Sequence, residues 1–398
     1  MLLVAEGAVW LLGPREEIPD PVPVDATDYL PAEQIARAED FRTPQRWLAI
    51  GGLALEAGVL AAVALGRPRR FRSLLDRLGT RPIPGAAAVG ALLAVLTTVA
   101  TLPTRIAAHE RAVDAGLSTQ SLSSWGWDVA RSAGITAVIT AGGTALLIAF
   151  VRRLPRGWWI PGAAVVSGAA VLFTWIAPVV LAPVFNDFDP LPEGSTARAD
   201  VLELGERAGV DIGEVYKIDA SRRGTTLNAY VDGIGPTKRV VLYDNLLDGA
   251  ERAELNSVVA HELGHVSHND IPRGLLFVVI AAPLGLLFVR ELGGALARRG
   301  GADPASPAAL PAYMLALGIA AFAIGIPGNQ LSRQVEASAD WFALELTDDP
   351  RALIGVQREL AEANLSDPDP PAAFTVLFGT HPTTAERIGA ALAYEQTR

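Results

Sequence analysis

Two histidines four residues apart, with a glutamate after the first, are the side chains of this sequence best spaced to do chemistry. His261, Glu262 and His265 lie in the stretch Val258-Val259-Ala260-His261-Glu262-Leu263-Gly264-His265-Val266. That stretch predicts about two and a half turns of helix. Side chains four apart share a helical face, so His261 and His265 can offer two imidazoles to one metal ion. Glu262 can then reach a water that the metal activates and act as its general base. Zinc suits the set, because it takes nitrogen and oxygen ligands and keeps a position open for water in catalytic sites. A third protein ligand has to come from elsewhere. The plainer reading is a helix that happens to carry two histidines. The chain has only five histidines, however, and two of them four apart around a glutamate is a poor accident. Apolar residues precede the motif, so the imidazoles sit on a partly buried helix and need polar partners there.

Composition narrows what can surround such a site. Of 398 residues, 50% are hydrophobic and only 19% charged, and the mean hydropathy is positive. That is too apolar for an ordinary soluble enzyme and fits a protein that crosses the lipid bilayer. There is no cysteine, which excludes disulfides, thiolate ligands and a cysteine nucleophile. Zinc must therefore be held by His, Asp or Glu. The net charge of −10, with no basic stripe to neutralise phosphates, argues against nucleic acid, and neither nucleic acid nor nucleotide is expected as a partner. Lysine occurs only at Lys217 and Lys238 while arginine and alanine abound. This suggests a high-GC bacterial genome and hence a multi-pass protein of a bacterial plasma membrane.

The elements that position the motif follow from hydropathy. Residues 1–46 read as an N-terminal polar and juxtamembrane segment. It opens with a short apolar stretch, Met1 to Gly13, which could lie on or in the membrane, and it contains a helical piece near Pro31 to Arg42. Residues 47–185 hold four expected spans: Trp47–Leu65, Ile83–Leu102, Gly134–Val151 and a proline-broken Trp158–Val184. An arginine-rich loop is expected at 66–81. A polar connection is expected at 103–131, with Trp125 and Trp127 as interfacial anchors. Residues 186–273 form a catalytic segment. In it, Thr196–Gly209 predicts an amphipathic helix. Val215–Ile218, Leu227–Val231 and Arg239–Tyr243 predict short strands, with a turn at Asp232-Gly233. Asp248–His268 predicts the metal helix, with Asp248 as its cap. Two further spans, Gly274–Val289 and Ala308–Ile326, fill residues 274–328, and a helical catalytic segment occupies 329–398.

The third ligand is sought in that last segment. Glu336 and Asp340 are four apart and so share a helix face. One carboxylate can bind the metal while the other orients a ligand imidazole through its second N–H. An exposed acidic helix face is the ordinary alternative, but the motif needs a third ligand, and Glu336 is assigned as that ligand with Asp340 behind it.

At this point the sequence resembles the integral-membrane zinc endopeptidases typified by the CAAX prenyl proteases. The resemblance rests on blocks in the family's order: Pro178 to Asn186 at the end of a span, Leu227-Asn228-Ala229-Tyr230-Val231, Lys238 to Asp244, His261 to His265, Glu336 to Asp340, and Thr380-His381-Pro382 with Arg387. Together they cover most of residues 175–390. The resemblance implies zinc bound by His261, His265 and Glu336, with Glu262 activating water and Asp340 in support. It further implies Asn228 where a substrate backbone passes, His381 stabilising the oxyanion, and Arg387 nearby as a support or substrate anchor. His109 and His268 match no family block and read as structural or surface histidines. Two departures stand out. The family commonly has seven spans where six are expected here, so its intramembrane chamber is expected to be less complete. The likeness also extends to the chemistry rather than to a prenylated substrate. The family implies a cytoplasm-facing catalytic region, whereas arginine-rich loops after the first, third and fifth spans would place it outside by the positive-inside rule; the family's orientation is adopted.

The sequence thus predicts a mainly α fold: a polytopic transmembrane helical bundle with an α+β zincin-type catalytic domain carrying a short sheet. The expected function is a membrane-embedded zinc endopeptidase acting on peptides or membrane-associated proteins. The alternative is a catalytically silent scaffold or chaperone of the same fold, which loss of Glu262 or a ligand would signal; neither is lost. A metal transporter would need ionisable ligands within the spans, where only Glu56 is clearly placed.

Overall fold

The computed structural model describes residues 1–66, 75, 77–232 and 238–398. Most of the arginine-rich 66–81 loop and Gly233 lie outside the described residues. Among those described, six helices are long and apolar enough to cross a membrane. They are α2 (Ala32–Ala61, continued by a turn of π-helix to Gly66), α3 (Pro82–Asp114), α4 (Leu122–Arg153), α5 (Trp159–Ile176, continued to Phe185), α9 (Asp270–Arg299) and α10 (Leu310–Thr347). Large apolar side chains point outward along them, such as Val138 at 74% and Val179 at 70% exposure. Surface of that kind belongs in lipid rather than water.

The spans sit where hydropathy places them, but the helices run past the apolar windows. The connection expected at 103–131 shrinks to residues 115–121, because α3 and α4 continue as polar helix beyond the bilayer. The helical piece near Pro31–Arg42 and the first span are one helix, α2. The sixth span and the segment bearing Glu336 are likewise one helix, α10, which passes Pro327 unbroken. The divisions expected at 46/47 and 328/329 therefore fall inside continuous helices. The N-terminal apolar stretch is helix α1 (Leu2–Leu12). Eleven residues rise only about 16 Å, half of a hydrocarbon core about 30 Å thick. It packs Ala5, Ala8 and Val9 against Phe277, Ala281 and Leu331 of α9 and α10. Trp127 is 61% exposed, while Trp125 stacks on His109 at 4.8 Å, which leaves His109 a structural role.

Outside the spans lies a four-stranded sheet in the order β1 (Phe188–Pro190), β2 (Glu214–Ile218), β4 (Arg239–Tyr243), β3 (Ala229–Asp232). β2 and β4 run parallel, Val215 opposite Val240, and the two outer strands pair antiparallel. Alternate residues face opposite ways. Val215, Val240 and Leu242 point into a core with Leu255, Val259 and Leu263 of α8 (Arg252–Ser267) and Val201 and Leu204 of α6 (Thr196–Arg207). Val241 points to the other face, with Ile218 and Ala220. The strands expected at 215–218 and 239–243 are present, the expected 227–231 strand begins at Ala229, and β1 was not expected. Four more helices complete the catalytic part: α7 (Asp244–Gly249), α11 (Pro350–Ala363), α12 (Ala372–Phe378) and α13 (Thr384–Thr397).

Candidate active site

The metal helix does not begin at Asp248. That residue lies in the separate α7, and α8 starts at Arg252 with Glu251 as cap. Glu251 and Glu254 form a reciprocal capping box, each side chain accepting from the other end's backbone N–H. This satisfies two of the four donors a helix start leaves free. One face of α8 is fixed on the sheet by Leu255, Val259 and Leu263. The opposite face meets α10, and Gly264 allows the approach: a Cβ there would lie 3.2 Å from the Cα of Ala339 and 3.3 Å from its carbonyl oxygen. The two helices are therefore close enough for His261 and His265 to meet Glu336.

They do meet. Nε2 of His261 lies 3.2 Å from Nε2 of His265 and 3.2 Å from Oε2 of Glu336, and Nε2 of His265 lies 3.6 Å from Oε1 of Glu336. Behind His261, Nδ1 is 2.8 Å from Oδ1 of Asp340. Asp340 is fully buried and receives two bonds from Arg387, at 2.7 and 2.5 Å. Behind His265, Nδ1 is 2.9 Å from Oδ2 of Asp270. Each imidazole thus donates its Nδ1 proton to a carboxylate, which makes Nε2 the atom through which each ring would bind a cation.

The two Nε2 atoms and the Glu336 carboxylate then converge on one point. Glu336 Oε2 is buried and accepts no hydrogen bond of good geometry, although the His261 ring is 3.2 Å away. A divalent cation resolves this arrangement. Tetrahedral donors bonded at about 2.0–2.1 Å stand about 3.3 Å apart, close to the separations found here. The local field agrees. Burial opposes charge on His261, yet Asp340 and Glu336 outweigh it and raise the ring's pKa to about 10. A site that holds a proton this firmly attracts a metal cation for the same reason. His261, His265 and Glu336 therefore fit zinc.

Glu262 points to the adjoining space. It lines a cavity of about 90 Å³ with Asn228, His261, His381 and Arg387, several times the volume one water needs. Burial raises its carboxyl pKa; His261 and His265 oppose the rise and Glu336 adds to it. His381 reaches in from the loop before α13, its Nε2 3.4 Å from Oε1 of Glu336. Oγ1 of Thr380 lies 2.9 Å from His381 Nδ1, so the hydroxyl can donate there and leave the ring proton on Nε2. Asn228 immediately precedes β3, which forms one edge of the sheet. A larger cavity of about 560 Å³ adjoins and shares Gln357, His381 and Arg387 with the first.

All eight residues singled out in the sequence lie in this one region. Arg387 stands behind His261, with Asp340 as its partner, rather than free in the cavity. His268 packs away from the donors, against Ser338 at 3.1 Å and Glu16 at 3.4 Å. The sequence reading missed Asp270, since nothing in its spacing marks a residue five after His265 as a neighbour of that ring.

Comparison with known proteins points to a family of membrane metalloproteases. The profile of peptidase family M48 matches residues 196–395. That of the CAAX prenyl protease N-terminal region, five membrane helices, matches residues 17–187. An uncharacterized metalloprotease of Bacillus subtilis, YhfN, is 27% identical over 375 residues, covering 92% of this chain and 87% of that protein. CAAX prenyl protease 1 of Saccharomyces cerevisiae is 27% identical over 325 residues, covering 75% of this chain and 70% of that one. The crystal structure of S. mikatae Ste24p superposes with a TM-score of 0.77 over 98% of this chain and 96% of its own, at 19% identity, a likeness of fold.

Proposed function

This chain belongs to peptidase family M48 and is an integral-membrane metalloprotease, and from that premise we propose a zinc-dependent endopeptidase with Glu262 as its proton carrier. The observation that carries the proposal is the convergence of two imidazole Nε2 atoms and one carboxylate, each histidine backed by an aspartate, beside a cavity lined by Glu262. Zinc held by His261, His265 and Glu336 supplies Lewis acidity, making water a nucleophile at neutral pH and polarising a carbonyl oxygen.

The chain's own residues do the rest. Glu262 takes the proton that water loses as it adds to the peptide carbonyl, and returns it to the departing amine nitrogen as the C–N bond breaks. Its raised pKa suits a group that must both accept and release a proton. His381 donates from Nε2 to the oxygen on which negative charge develops. Asp340, held by Arg387, keeps the His261 proton on Nδ1. Asn228 and the edge of β3 give an extended peptide a strand to pair with. The substrates that suit this placement are peptides and membrane-associated proteins, with a path through the larger adjoining cavity.

Metal removal tests the reading. Protein purified in detergent is treated with a chelator and assayed on a peptide library. Cleavage is expected to vanish and to return with one equivalent of zinc. Full cleavage by protein stripped of metal would contradict it.

A further inference from the structure

We propose that Asp270 is a positioning residue for His265, and that the two-residue turn between α8 and α9, His268-Asn269, is shaped to place it there; the proposal rests on the zinc-site reading above. In an uninterrupted helix, a residue five positions on is rotated about 140° away and cannot reach the ring of His265. The helix does not continue. α8 ends at Ser267, His268 caps it, and Asn269 adopts left-handed backbone at φ 56° and ψ 44°. Asparagine is one of the few residues that takes this conformation readily. The helix breaks there, and α9 opens at Asp270 with its carboxylate 2.9 Å from His265 Nδ1.

Two further contacts hold the carboxylate in place. Arg273, one turn into α9, donates to its second oxygen at 2.7 Å, and reaches the His268 carbonyl at 3.4 Å across the turn. Asp270 also stands at the first position of a thirty-residue helix, whose positive end faces its side chain. Its side chain is 8% exposed, so water competes little for the bond. His265–Asp270–Arg273 therefore repeats the arrangement His261–Asp340–Arg387: an imidazole, an aspartate on Nδ1, and an arginine clamping the aspartate. One couple is supplied by the start of the fifth span and the other by α10 and α13. Both zinc-facing Nε2 atoms are thereby aimed by carboxylates from neighbouring helices.

The plainer view is that Asp270 simply begins a helix, where aspartate is common. Zinc affinity separates the two, measured at pH 7.5 on purified protein by competition with a chromophoric chelator, beside the thermal unfolding of the metal-free form. Losing a carboxylate behind a ligand histidine weakens metal binding about 10–100-fold, and that loss is expected for Asp270→Ala. Asp270→Asn keeps an acceptor oxygen without the charge and is expected to fall between Asp270→Ala and the parent. Metal-free unfolding is expected to change little in either. If Asp270→Ala does not fold, Asp270→Asn and Arg273→Gln decide, each with a measurable loss of affinity. Parent-like affinity in these variants, with zinc bound normally by the parent, would overturn the inference and leave the protease reading intact. Absence of zinc binding in the parent itself would overturn both.

Discussion

A proton and a metal cation compete for His261. Burial disfavours the proton, but Asp340 and Glu336 more than compensate and raise the ring's pKa to about 10. Below that pH the metal-free ring carries a second proton, on Nε2, which a zinc ion at the proposed site would have to displace. The sign follows: apparent zinc affinity rises with pH, by up to about tenfold per unit, until the pH approaches 10. Calorimetry near pH 8 in two buffers of different ionisation enthalpy is expected to show about one proton released per zinc. No proton release there would contradict the assignment of His261 as a ligand. The ligand face was legible from spacing alone, since His261 with His265 and Glu336 with Asp340 are both four-residue pairs on helices. Asp270 was not, because only the left-handed backbone at Asn269 brings it back over His265. Arg387 was legible through resemblance, while its place behind Asp340 needed the fold.

At the scale of elements, the site depends on how closely α8 and α10 approach. Gly264 sits at their contact, and a Cβ there would press on the backbone of Ala339 at 3.2–3.3 Å. Backbone cannot turn aside as a side chain can, so Gly264→Val should force the helices apart by more than the few tenths of an ångström that zinc bonds tolerate. Zinc content by atomic absorption is expected to fall well below one per chain while the protein still extracts as folded, monodisperse material. Full zinc occupancy in this variant would show that the ligands can follow the shift. Hydropathy located all six spans because lipid contact demands a long apolar stretch. It misplaced the helix ends because α3, α4 and α10 continue as polar helix outside the bilayer. The start of α8 was misread because Asp248 and Glu251 imitate a capping box, whereas the real one joins Glu251 to Glu254.

For the whole molecule, the arrangement couples a water-consuming reaction to a lipid-embedded frame. Glu336, the proposed third ligand, and Asp340 and Asp270, the proposed supporting aspartates, lie on or at the start of helices long and apolar enough to cross the membrane. Which side of the membrane the catalytic part faces can be read directly, because the chain has no cysteine and any introduced one is unique. Glu193 lies exposed between β1 and α6. With the catalytic part facing the cytoplasm, Glu193→Cys is expected to react with a membrane-impermeant maleimide only after cells are opened. Labelling in intact cells would reverse the orientation and favour the arginine distribution of the loops.

The most direct test of the central claim compares the parent with Glu262→Gln, both purified in detergent, for bound zinc and for cleavage of a peptide substrate. Glutamine keeps the shape of the side chain and cannot carry the proton. The expected result is one zinc in each protein, with cleavage about 10²–10⁴-fold slower in the variant, the range that positioned proton transfer supplies. Equal cleavage by the two proteins would remove Glu262 from the mechanism, and a parent that binds no zinc would remove the metal site on which the whole account stands.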